Sequence, residues 1–343
     1  MKCNRFAKNS LILGVMSLFI LFGVIFAFWI GHFPISFEEY INVLKTSLGL
    51  SDNLQNSHAK QILTVLYDIR FPRILAALLI GASLAVSGVV FQGIFINPLV
   101  SPGILGVLSG ASLGAALAML WNSSLFIIQT SAFLGGFIAV FFSLGISKFY
   151  GRGNTILMLV LGGVISSSLF SALLSLVKYV ADPYNTLPTI VYWLMGSLSL
   201  VQKEDIFFSM PIMLLSIFGL LVFNKHINLL SVGEDDAKTL GINVNKTRLI
   251  LIILSTILSA LSVMLAGVIG WIGLVIPHIA RFIVGLNHSI LLPFSAMLGA
   301  LFLLLVDTLS RGFFAVEVPL GILTSLVGIP IFLVVLNNTT KGN

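Results

Sequence analysis

IFFSMPIMLLSIFGLLVF (206–223), NKHINLLSVGEDDAKTLGINVNKTR (224–248) and LILIILSTILSALSVMLAGVI (249–269) follow one another without a break, and their contrast decides the fold. Each apolar run is close to the roughly 20 residues a helix needs to cross a bilayer core of about 30 Å. Lipid offers no partner to a bare backbone group, so such runs must be helices or parts of a closed barrel. Helix-length runs, rather than alternating ten-residue strands, exclude the barrel. The same pattern recurs along all 343 residues, of which 58% are hydrophobic and only 9% charged. The fold class is an all-α polytopic membrane protein.

The charged island between the two runs has its own local code. Ser231 followed three residues later by Glu234 has the spacing of a capping box, in which each side chain satisfies a free backbone N–H of a helix start. Asp235 and Asp236 suit the positive end of the helix dipole, and Gly241 supplies a left-handed stop. These signals predict a helix over about 232–240. A helix that short is marginal alone and must pack on something. Two readings stay open for it: a polar connector resting on its own protein, or a docking helix for a second subunit.

Outward from there, spans are expected near 11–30, 74–90, 104–120, 125–146, 156–177, 206–223, 249–269, a short Gly- and Pro-interrupted 270–283, 290–309 and 319–336. That makes about ten. The apolar run after Lys2, Arg5 and Lys8 is too long for a signal peptide and lacks a cleavage site, so it reads as a retained first span. The bias of Lys148, Arg152, Lys225, Lys238, Lys246, Arg248, Arg281 and Lys341 places both termini and the 224–248 loop in the cytoplasm. Trp29, Trp121, Tyr192 and Trp193 then form an outer aromatic belt. Residues 32–67 read as an outer connector with a helix near 37–48, and 186–196 as an interfacial helix.

Several kinds of chemistry are excluded. No GxxxxGK[ST] phosphate loop occurs, so the chain does not bind ATP in that manner. Its net charge of +6 is scattered over span ends, which sets orientation rather than forming a nucleic-acid face. Cys3 is the only cysteine, so disulfides are excluded. His32, His58, His226, His278 and His288 show no ligand spacing; no metal site and no cofactor are expected, and His278 reads as structural at a helix start. Candidate catalytic pairs are missing, so the chain is not expected to be an enzyme. Small residues at close spacing, such as Gly81, Ala85 and Gly88, suit tight helix packing.

Two charged features remain. Asp307, in LFLLLVDTLSR, sits four residues before Arg311 and reads either as a local ion pair or as the coupling group of an ATP-independent secondary carrier. Arg70 and Arg73 run against the positive-inside bias at the start of the second span, and Arg311 at the outer end of the ninth can join them. Three outward guanidiniums would suit carboxylates of a docking partner. The alternative for each is snorkelling to lipid headgroups.

RFPRILAALLIGASLAVSGVVFQGIFINPLVSPGILGVLSGA (70–111), VGEDDAKTLGINVNKTR (232–248), GVIGWIGLVIPHIARFIVG (267–285) and two blocks within 291–336, LLPFSAMLGALFLLLVDTLSR and EVPLGILTSLVGIPIFLVVL, together resemble the FecCD permeases. These are the membrane subunits of binding-protein-dependent ABC importers for iron–siderophores, haem and cobalamin. The resemblance runs from about residue 11 to the end and implies a single permease domain, 1–343, with a type II ABC importer bundle of about ten spans. It implies a second permease subunit (a homodimer or a paralogue), two cytoplasmic ATPase subunits and an extracytoplasmic substrate-binding protein, in a bacterial plasma membrane. By it, Ser231, Gly233, Glu234, Ala237, Leu240 and Gly241 would couple to the ATPase. Arg70, Arg73 and Arg311 would receive the binding protein. Lys148, Gly151, Arg152, Gly153 and Asn154 would form the cytoplasmic gate. An iron–siderophore complex is the expected cargo, with haem or a corrinoid as alternatives.

Overall fold

The computed structural model describes residues 2–31, 33–47, 57–151, 155–314 and 316–341. In chain order the helices are α1 (Lys2–Trp29), α2 (Phe37–Ser47), α3 (Ser57–Thr64), α4 (Phe71–Ile94), α5 (Val107–Leu120), α6 (Leu125–Tyr150), α7 (Thr155–Val180), α8 (Thr186–Leu194), α9 (Lys203–Val222) and α10 (Asn224–Leu230). Then come α11 (Glu234–Thr239), α12 (Val244–Ala266), α13 (Ile272–Val284), α14 (His288–Phe313) and α15 (Leu320–Lys341). No strand occurs among the described residues. Among the described residues seven helices are long and apolar enough to cross a membrane, and three shorter apolar ones, Val107–Leu120, Ile272–Val284 and Leu320–Val334, complete the expected ten.

The second span is longer than the apolar run that announces it. A π-helical turn, Val65–Arg70, joins α3 to α4 without a break, so helix runs from Ser57 to Ile94. Pro72 sits just after this π-turn, where the helical ladder is already locally rearranged. α4 is the hub of the bundle, packed against α9, α12, α13 and α14. Its glycines set how close the neighbours come. A Cβ at Gly81 would collide with the Gly299 carbonyl of α14, and one at Gly88 with the Gly273 carbonyl of α13. Small side chains let backbones touch, which is how helices associate where no hydrophobic driving force separates protein from lipid.

The third and eighth spans are half-helices. Gly106, at φ +89°, separates a 3₁₀ turn over Pro102–Leu105 from α5. α12 stops at Ala266, and the chain passes through Gly267 (φ +68°) and Trp271 (φ +69°) before α13 begins. Irregular backbone at membrane depth is tolerated only where protein satisfies it. Here Ser197 N–H donates to the Ala266 carbonyl at 2.9 Å and Leu320 N–H to the Gly196 carbonyl at 2.8 Å.

The S-x-x-E spacing occurs twice and folds two ways. At Ser36 the capping box forms: Ser36 N–H donates to Glu39 Oε2 at 2.7 Å, and Glu39 N–H to Ser36 Oγ at 3.3 Å. At Ser231 it does not, and the expectation is corrected. Ser231 belongs to the end of α10, its N–H bonded to the Ile227 carbonyl and its hydroxyl donating to the Asn228 carbonyl at 2.7 Å. The N-cap of α11 is Gly233, at φ +154°, and the helix is Glu234–Thr239 rather than 232–240. Ser231 is the C-cap of α10, which preempts it. Gly241 does take the left-handed stop, at φ +83°.

Candidate functional sites at the two ends of the bundle

One end of the bundle gathers the three arginines, and the structure corrects how they were expected to point. Arg70, Arg73 and Arg311 are 3%, 7% and 4% exposed, so they form no outward cationic surface. Arg73, on α4, donates through Nε to Asp307 Oδ1 and through Nη1 to Glu317 Oε1, both at 2.8 Å. Arg311 Nε lies 3.4 Å from Asp307 Oδ2, and its Nη2 donates to the Ala27 carbonyl. Arg70 donates to the Phe28 and Phe33 carbonyls and to the Tyr40 hydroxyl, the last at 2.7 Å. The reason lies in α1. Its last carbonyls have no intrahelical partner and carry the negative end of the dipole, so two guanidiniums cap it.

The expected Asp307–Arg311 pair is therefore present but secondary, because the shorter contact of Asp307 is to Arg73 on another helix. Three guanidiniums against two carboxylates leave one excess positive charge. A cleft of about 180 Å³ opens onto Arg70, Arg73, Arg311 and Glu317 between Gly31, Phe33, Val65 and Ile69. Glu317 is a functional candidate that sequence reading left out, since a single acid in a loop carries no spacing signal. His278 lies within α13 rather than at its start, with its ring against Phe332.

The opposite end carries α10 and α11. Ala237 is fully buried, so of the expected coupling residues it faces the protein's own core. Leu240 and Val232, the latter outside the expected set, are 64% and 69% exposed. Gly233 and Gly241 flank the helix with positive φ. Glu234 faces Arg248 on α12, Nη2 to Oε2 3.0 Å, and Lys238 at 3.3 Å. Arg248 is 4% exposed and thus fixed in place. Burial pushes the Glu234 carboxyl up, but Arg248 and Lys238 outweigh it and hold it below its ordinary value of 4.5. Of the expected gate, Lys148 and Gly151 are exposed at the end of α6, while Arg152, Gly153 and Asn154 lie outside the described residues.

α10 was not anticipated as a helix, and it brings polar residues to the start of α14. Asn228 Oδ1 accepts from His288 N–H at 2.9 Å and lies 2.7 Å from His288 Nδ1. Asn228 Nδ2 donates to Asn287 Oδ1 at 3.1 Å, and Ser289 Oγ donates to Asn224 Oδ1 at 2.9 Å.

The FecCD transport family model matches residues 18–338 of this chain. The chain belongs to the FecCD transport family. This FecCD protein is 45% identical to the molybdate import system permease protein MolB of Haemophilus influenzae, over 81% of this chain and 82% of MolB. It is 40% identical to an iron chelatin transport system permease of Helicobacter pylori, over 90% and 93% of the two chains. Among solved structures, a metal-chelate type ABC transporter in an inward-facing conformation matches with a TM-score of 0.85 at 39% identity, covering 96% of this chain and 99% of that one. The FecCD chain is accordingly a multi-span permease of the metal-chelate ABC-importer type, a transport subunit.

Proposed function

We propose that the whole chain, 1–343, works as a single permease domain, one half of the membrane core of a bacterial ABC importer. In this reading two permease subunits pair in the plasma membrane with both termini cytoplasmic. Two cassette ATPases dock on the α10–α11 end, and an extracytoplasmic binding protein delivers cargo at the arginine end. The observation that carries it is α11: a six-residue polar helix, pinned by Arg248, that offers Leu240 and Val232 to a partner. A chain without a phosphate-binding loop must borrow the energy of ATP from such a partner.

At the arginine end the docking role of Arg70, Arg73 and Arg311 takes a modified form. The cleft's excess positive charge and its partly exposed Glu317 support entry of a binding-protein carboxylate beside Arg73, rather than contact with freely projecting guanidiniums. Lys148, Gly151, Arg152, Gly153 and Asn154 form the inner gate. An iron–siderophore complex is the favoured cargo, with haem or a corrinoid as variants. The 45% identity to a permease named for molybdate supports an oxyanion as a second reading. An ATP-independent carrier using Asp307 and Arg311 has less support, because Asp307 is fully buried and committed to two arginines.

The test is reconstitution in liposomes with a cassette ATPase and an exported binding protein from the same organism. Uptake of a ferric siderophore that requires ATP and all three components is the expected result, and molybdate uptake under the same conditions selects the second cargo. Uptake by this chain alone, driven by a proton gradient, overturns the importer reading.

A further inference from the structure

We infer that α14 is a rod that carries free energy between the two ends of the bundle, clamped at its first turn by Asn224 and Asn228 and at its last by Arg73 and Arg311. The inference rests on the importer reading above, which assigns a partner to each end.

α14 has 26 residues, so at 1.5 Å per residue it is about 39 Å long, with Pro293, which removes one backbone hydrogen bond of the helix, a turn beyond the first clamp. That length is enough to cross the bilayer core and reach past it. Its N-terminus has free N–H groups, as every helix start does. One of them, His288 N–H, is satisfied from outside the helix, by Asn228 of α10. The Asn228 side chain also donates through Nδ2 to Oδ1 of Asn287, the N-cap residue of α14, which itself accepts from Ser289 N–H. Asn224 holds the Ser289 hydroxyl one turn of α10 earlier. α10 therefore grips α14 by two side chains on one face, and cannot shift without pulling on it. α10 runs through Ser231 and Gly233 directly into α11.

The far end is gripped by charge. Asp307 and Arg311, one helical turn apart on α14, meet Arg73 of α4 and the Ala27 carbonyl of α1. Between the clamps, Gly81 and Gly299 bring α4 and α14 into backbone contact, so the rod is guided along its length. Packed helices of this kind move as units instead of bending continuously. Intermediate position alone does not prove coupling, which requires that both ends bias one equilibrium. The clamps supply a physical means: changing either changes what the other holds.

The experiment uses the intact permease–ATPase complex and measures the Kd of its binding protein with and without a non-hydrolysable ATP analogue. The ratio of the two Kd values is the coupling factor, and linkage makes it the same from either end. Asn228→Ala and Asn224→Ala should bring that ratio at least about five-fold closer to one, within the usual range of such couplings. ATPase retention on gel filtration should stay unchanged. Asn228→Asp keeps the acceptor for His288 N–H and should restore most of the ratio. Ser289→Ala, which removes only the Asn224 contact, is the milder variant should Asn228→Ala fail to assemble, and it should lower the ratio in the same direction. Asp307→Asn combined with Asn228→Ala should lose no more coupling than the stronger single variant, because both cut one rod. A ratio unchanged by the clamp variants in assembled complexes overturns the rod alone. A wild-type chain that retains no ATPase overturns the importer reading, and the rod with it.

Discussion

Arg73 and Asp307 lie 234 positions apart in sequence and 2.8 Å apart in space. Arg73 is almost wholly buried and Asp307 completely so, yet the pair is not isolated: Glu317 and Arg311 complete a four-membered chain of alternating charge. Burying an ion costs several kcal/mol unless its partners stay in place, so this network ties α4, α14 and the loop before α15 into one unit.

Asp307→Asn should therefore destabilise the detergent-solubilised permease by about 3–5 kcal/mol, because it strands Arg73 and Arg311 among buried groups. Glu317→Gln removes a carboxylate whose side chain is 29% exposed, and should cost less than about 1 kcal/mol. Thermal unfolding of the two variants side by side checks the difference. Equal shifts would mean that Asp307 is better hydrated than its burial implies.

Acid should loosen α11 before the bundle. The Glu234 carboxyl is held below its ordinary 4.5 by Arg248 and Lys238, which outweigh the effect of burial. A depressed carboxyl contributes stability above its unfolded value and loses it as pH falls through the folded one. Hydrogen exchange of the α11 amides, corrected for intrinsic rate, should stay level from neutral pH to about 5 and rise below about 4.5. In Glu234→Gln the amides should exchange faster at neutral pH and show no acid step.

The α4–α14 contact should not tolerate a larger residue. A Cβ at Gly299 meets the Gly81 carbonyl and the Ala85 methyl, so Gly299→Val forces two backbones apart at a cost of about 1–3 kcal/mol. Gly14→Ala, where an added Cβ meets nothing within 4 Å, is the matched control and should be neutral or slightly stabilising. The readout is the unfolding midpoint of each variant in one detergent.

Leu240→Asp should reduce co-purification of the cassette ATPase at least ten-fold while leaving the unfolding midpoint within about 1 °C, because surface changes seldom matter to stability. Leu240 is 64% exposed, so nothing inside the permease needs it. Ala237→Leu should fail differently: that position is fully buried, and the longer side chain would displace α11 and lower stability as well.

The spans were readable because hydropathy is a local property and lipid leaves a helix-length apolar run little choice. The eighth span was announced as interrupted by its glycines and proline, whereas the break at Gly106 in the third was not anticipated. Capping was less legible. Ser36 and Ser231 share one pattern, and only the neighbours decide: Ser36 precedes a helix with nothing competing for it, while Ser231 already terminates α10. The three arginines were singled out together, since cations at the outer end of a bundle need an explanation, and the structure gathers them around one cleft. Their inward direction was hidden because the acceptors are the carbonyls of Ala27, Phe28 and Phe33, and backbone carbonyls leave no trace in sequence. Asn228 and Glu317 carried no signal at all, being single polar residues in segments where polarity is expected.

Sequence alone determined that this chain is a helical membrane protein of about ten spans, because helix-length apolar runs are a local signal that lipid leaves little choice about; that it is a permease followed from the motifs it shares with the FecCD family. Tertiary structure decided which charges meet and which stay free. That outcome depends on distances between segments hundreds of residues apart, and a buried guanidinium settles on whichever oxygens folding brings within reach.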